Sequence, residues 1–198
     1  MTDKELITDK KLSNGCYLEL AIQVCKSAET EPVKKYFDFL WQLKNVKGPF
    51  DNEYNEIDKY SYIQNGILNI ENYQIPFTTF NIREESPIET GFIWFDLCFS
   101  ESAIQKIFGE EFEITGTNSK NPEILISFLK NLKEKLYTEF PFELAIIDVE
   151  VSGQYYLQDL ETEMENQPNL KFYVGEDRLE KIAESNRNLI TIIENKNK

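Results

Sequence analysis

Residues 91–99 read GFIWFDLCF. Apart from the leading glycine, Asp96 is the one non-apolar residue in this run. So short an apolar run reads as a strand covered on both faces. Two other stretches join it. Residues 17–25, YLELAIQVC, alternate, with Leu18, Leu20, Ile22 and Val24 forming one face. Residues 142–151, FELAIIDVEV, read as another buried strand. These three runs predict the core of one sheet, with Trp94 shielded and Phe95 and Ile147 inside.

Working outward, Thr30 reads as an N-cap and Pro32 sits in the first turn of a helix. Val33, Tyr36, Phe37, Leu40 and Trp41 follow at helical spacing, and Gly48-Pro49 lies beyond its end. Residues 51–58 are polar and acidic and read as a loop. In KYSYIQNGILNIE, residues 59–71, Asn65-Gly66 stands between two β-prone runs. That dipeptide predicts a two-residue hairpin turn, because both central positions need positive φ. A strand over 76–83 and a turn around Glu84–Pro87 lead into 91–99 as an antiparallel meander.

Ser100 suits the cap of a helix over 101–108 that Gly109 ends. Asn121-Pro122 opens a second helix, with Ile124, Leu125, Phe128, Leu129, Leu132 and Leu136 on its apolar face. Leu157, Leu160 and Met164 fit a modest helix. Residues 171–174 read as a short strand, 176–186 as a helix and Leu189–Ile193 as a last, β-branched strand. The pattern predicts an α+β fold: a single domain over 1–198, one largely antiparallel mixed sheet around a 65–66 hairpin, and about four to five flanking helices. Residues 1–14 are expected to be a mobile polar N-terminus, and 195–198 a mobile C-terminus.

Composition narrows the chemistry. Of 198 residues none is histidine, which closes Ser-His-Asp and Cys-His nucleophiles and His-ligated zinc to this chain alone. The closest two glycines, Gly109 and Gly116, are seven apart, too far for a Walker loop, GxGxxG or GxSxG. Cys16, Cys25 and Cys98 show no CxxC spacing and read as reduced, small core residues. With no apolar leader and no membrane-length run, the expected location is cytoplasmic, with no membrane partner. A net charge of −14 with three arginines speaks against nucleic acid. No cofactor is expected.

Carboxylates are the remaining chemistry. Asp148 and Glu150 share a face of their strand. With Asp96 they form a cluster that would suit a divalent cation if strands 91–99 and 142–151 were neighbours. The more unusual feature is a gap in positive charge. From Leu136 to Leu170 there is no Lys or Arg in 35 residues, while eight acidic residues fall in the same window. Around Tyr155 and Tyr156 stand Asp159, Glu161, Glu163 and Glu165. Acidic groups steer a basic partner and tyrosines carry the desolvated contact. These six residues are the candidate partner-binding site. The reading favours a non-enzymatic interaction protein over an enzyme, most concretely a bacterial immunity or antitoxin-type protein that neutralises a basic protein. The alternatives are a carboxylate- and metal-dependent enzyme, or a small-ligand binding domain.

Overall fold

A computed structural model of the chain describes residues 1–29, 31–85, 91–115, 120–164 and 170–194. The strands are β1 (Tyr17–Lys26), β2 (Val46–Phe50), β3 (Ile63–Ile70), β4 (Tyr73–Arg83), β5 (Phe92–Ser100), β6 (Leu144–Val149), β7 (Phe172–Gly175) and β8 (Ile190–Ile193). The helices are α1 (Asp3–Thr8), α2 (Glu31–Trp41), α3 (Glu101–Phe108) and α4 (Glu123–Glu139), supplemented by short 3₁₀ turns. One mixed sheet runs in the order β2-β3-β4-β5-β1-β6-β7-β8, antiparallel except for the parallel β7–β8 pair. The fold is α+β, and the three runs read as its core stand side by side as β5, β1 and β6.

Alternation along β1 sets up two unlike faces. Leu18, Leu20 and Ile22 sit opposite Phe99, Leu97 and Phe95 of β5. This apolar face receives Val33, Tyr36, Phe37 and Leu40 of α2 and Leu125, Leu129, Leu132 and Leu136 of α4. Phe95 lies at its centre, 5.7 Å from the Tyr36 ring and 5.1 Å from that of Phe37. The other face begins with Glu19, Ala21 and Gln23, opposite Cys98, Asp96 and Trp94. The chain beyond β6 covers it: Val151, Leu157, Leu160, Leu170, Ile182 and Leu189 pack on Leu144, Ile146, Phe172 and Val174. Towards β3 and β4, Leu6, Leu12 and Ala103 cover Ile67.

Several details depart from the sequence reading. Asn65 and Gly66 lie inside β3, and the two-residue turn is Glu71-Asn72, between paired Ile70 and Tyr73, with Glu71 at φ 51°. Gly66 answers a packing demand. A Cβ there would stand 2.4 Å from Cζ of Phe77, the residue opposite it, and 2.9 Å from Cη2 of Trp41, whose ring stacks on Phe77. Asn65 accepts from the Thr78 hydroxyl at 3.0 Å and donates to Asn52 at 2.9 Å.

Gly48-Pro49 falls within β2, an edge strand, where a missing N–H costs no ladder bond on the open side. Residues 1–14 are not a loose tail. Thr2 and Glu5 form a capping box, and Leu6 and Leu12 are buried against the sheet. The expected C-terminal helices are 3₁₀ turns over Leu157–Glu161, Glu176–Lys181 and Glu184–Leu189. Ser100 caps α3 as expected, accepting from the Ala103 N–H at 3.2 Å. Thr30, Glu165 and residues 195–198 lie outside the described residues.

Candidate functional site

The chain after β6 turns sharply. Glu150 takes φ 53° and swings out of the strand's alternation, and its Oε1 accepts from the Tyr17 N–H at 2.8 Å. The segment from Val151 to Met164 has little regular secondary structure, so its backbone groups need other partners. Buried side chains of the sheet supply them. One Glu19 oxygen accepts from the Val151 N–H at 2.9 Å, the Ser152 N–H at 3.0 Å and the Ser152 hydroxyl at 2.8 Å. Gln23 accepts from the Leu157 N–H at 2.9 Å. From the 3₁₀ turn before β8, Asn186 donates to the carbonyls of Leu160 and Thr162, at 3.0 and 2.6 Å.

The two tyrosines face the protein. The Tyr155 ring meets Phe172 edge-on at 5.5 Å. Tyr156 packs against Trp94 at 5.5 Å and Phe92 at 6.0 Å, and its hydroxyl donates to Glu84 at 2.7 Å. The same Glu84 carboxylate accepts from the Trp94 indole at 2.9 Å and the Phe92 N–H at 2.8 Å. Burial, then the Glu84 hydrogen bond, pushes the Tyr156 phenol up to about 12, so it stays a donor at neutral pH.

Tyr155 also lines an open groove of about 390 Å³ with Gln154, Asp159, Thr162, Glu163 and Met164. Three of the six predicted site residues, Tyr155, Asp159 and Glu163, therefore share one surface feature. Glu161 is exposed nearby in sequence, and Tyr156 belongs to the Trp94 side instead. Asp159 accepts from the Tyr156 N–H at 2.7 Å. None of Asp159, Glu161 and Glu163 enters an ion pair among the described residues, whereas Glu143 is paired with Arg178 at 3.0 Å.

The carboxylate cluster Asp96, Asp148 and Glu150 does not assemble. β1 lies between β5 and β6, and Asp96 and Asp148 face β1 at different residues, Ala21 and Glu19. Two strand spacings and two residues of offset separate their Cα atoms by roughly 12 Å. No group of three metal-ligating side chains occurs among the described residues.

Glu19, which sequence reasoning did not single out, is the residue that comes near Asp96. Burial pushes Asp96 up to about 7; the Ser152 hydroxyl opposes this and the Glu19 charge adds to it. Burial also raises Glu19, against the donors that hold it. One oxygen of Asp96 has no hydrogen-bond partner in the protein. Cys98 lies beside Glu19, its Sγ 3.8 Å from the carboxylate, and burial raises its thiol well above the usual range, so it is no ready nucleophile. The sequence carried no signal for Glu19: it falls on the polar face of the alternating run, as a solvent-facing residue would, and its place across from Cys98, two residues beyond Asp96, is set by the β1–β5 register.

Comparison with family models, with curated proteins and with solved structures finds no match for this chain. Among the described residues no helix is long and apolar enough to cross a membrane.

Proposed function

We propose that this chain is a non-enzymatic, cytoplasmic interaction protein that binds a basic protein partner, in the manner of an immunity or antitoxin-type protein neutralising a basic bacterial toxin. The groove beside residues 154–164 carries the reading. Tyr155 and Met164 offer apolar walls to the stem of a lysine or arginine, and Asp159 and Glu163 offer carboxylates at its rim. Both carboxylates belong to a segment without a single basic residue, in a chain of net charge −14. Such a field speeds the encounter with a cation-rich surface, and the groove holds the side chain once it arrives.

The experiment measures binding kinetics to a basic protein encoded beside this chain or co-purified with it. Raising salt should slow association, because screening cuts the field to about 8 Å at physiological ionic strength. Glu161→Lys with Glu163→Lys should slow association by about tenfold at low salt, while Tyr155→Ala should mainly speed dissociation. Kinetics unchanged in both variants and flat against salt would sink the reading.

A further inference from the structure

Lys133 lies in the second half of α4 and is turned onto the sheet, only 3% exposed. A buried ammonium ordinarily finds a carboxylate. None is within ion-pair distance of this one among the described residues. Its Nζ instead stands 3.5 Å from the centre of the Tyr173 ring, on β7. The flanking Lys130 and Lys135 are exposed, as surface lysines of a helix should be. Beside Lys133 is a cavity of about 230 Å³ between α4 and the edge strand β8. Glu134, Thr138, Thr191, Ile193 and Glu194 complete its main walls.

We propose that Lys133 is a nucleophilic amine that captures small uncharged aldehydes or ketones as an imine in the α4–β8 cavity. The burial that isolates the amine also weakens its hold on a proton. It brings Lys133 down to about 8, helped by Lys130 and opposed by Glu134. The free base, with its lone pair, is then about a tenth of the amine at pH 7 and half of it near pH 8.

The walls select the electrophile. Glu134 and Glu194 repel an anionic substrate, so the carbonyl compound is uncharged. The product is selected as well. A carbamate would place a new negative charge beside those two carboxylates. A protonated imine keeps the positive charge that the Tyr173 ring face and Glu134 already stabilise. In the reaction the Nζ lone pair adds to the carbonyl carbon, and a proton passes from the nitrogen to the carbonyl oxygen to give a neutral carbinolamine. The nitrogen lone pair then expels the hydroxyl, which leaves as water with one proton taken from solvent, and the product is the protonated C=N bond. No oxidant or reductant is consumed.

The test exposes the full chain to propionaldehyde and cyanoborohydride, which reduces the imine to a stable alkyl-lysine, followed by peptide mapping. At pH 7 an amine titrating near 8 holds roughly 200- to 300-fold more free base than an ordinary lysine. Restricted access offsets part of this, so Lys133 should be alkylated at least ~10-fold faster than Lys130 and Lys135. Its labelling rate should rise with a midpoint near pH 8, the value at which Lys133 titrates. Lys133→Arg and Lys133→Met, each checked for an intact melting transition, should lose the fast adduct and keep the slow ones. Equal labelling of the three lysines overturns the proposal. So does a Lys133 left unmodified while its neighbours react.

Discussion

The two faces of the sheet are closed by different means. On one, leucine, isoleucine and phenylalanine from β1 and β5 meet two amphipathic helices, and the interior is mostly apolar, its polar exceptions being isolated side chains such as Tyr36, whose hydroxyl donates to the Phe140 carbonyl at 2.6 Å, Gln64, which accepts from the Trp41 indole, and Lys133 over Tyr173. On the other, an irregular segment is held by Glu19, Gln23 and Asn186, each buried and each bonded to backbone. Helices satisfy their own backbone groups and ask only for apolar surface. A segment without regular structure brings unpaired N–H and C=O groups with it, and the sheet must bury polar side chains to receive them. The acidic groove is built on that second cover.

The largest expected effect lies on the helix-covered face. Phe95→Ala removes a ring with no solvent exposure, wedged against Tyr36 and Phe37, and should cost ~3–5 kcal/mol in urea unfolding. Leu160→Ala is the counterpart under the irregular cover and is equally buried. It should cost less, about 2–3 kcal/mol, because a segment with few ladder bonds can settle into the space. A cost at Leu160 equal to that at Phe95 would abolish the distinction between the two covers.

The next effect belongs to the polar face and depends on pH. The folded protein holds a proton on Asp96 up to about pH 7, whereas an unfolded aspartic acid, with an ordinary value of 3.8, releases it far earlier. Between roughly pH 4 and 7 the folded state therefore binds more protons than the unfolded one, and stability falls as pH rises through that window. Asp96→Asn removes this contribution to the slope and should gain ~1–3 kcal/mol at pH 8. Unfolding measured at pH 5, 6 and 8 in both proteins isolates the effect by difference. Parallel profiles would mean that Asp96 is not a proton store.

The difference between the faces also explains what the sequence made legible. Periodicity reports apolar burial, so β1, β5, β6, α2, α3 and α4 could be read, and with them the core they form. It reports nothing about polar burial. Glu19 and Gln23 alternate with leucine and isoleucine as solvent-facing residues would, and only the later segment that folds over them makes them interior. Asn65-Gly66 failed for a related reason. A glycine that a turn needs for its φ and a glycine that Phe77 and Trp41 need for space look alike in one dimension. For the candidate site, charge patterning located the acidic segment, and the groove joins Tyr155, Asp159 and Glu163. The inward turn of Tyr156 needed Glu84, 72 residues earlier in the chain, which no local pattern connects to it.

The smallest effect tests that last contact and the division of labour within the site. Tyr156→Phe deletes one hydroxyl and keeps a ring that still fits against Trp94 and Phe92. Glu84 retains its bonds from the Trp94 indole and the Phe92 N–H, so its carboxylate is not stranded. The expected loss is therefore about 1 kcal/mol. It should appear locally, as faster amide exchange over residues 151–160 with α4 unchanged, because the lost bond pins the irregular cover and not the helical one. Since Tyr156 faces Trp94 and only Tyr155 lines the groove, the same variant should leave partner affinity within about twofold, while Tyr155→Ala weakens it. Equal losses from both would move the docking point from the groove to the Glu84–Trp94 side of the segment.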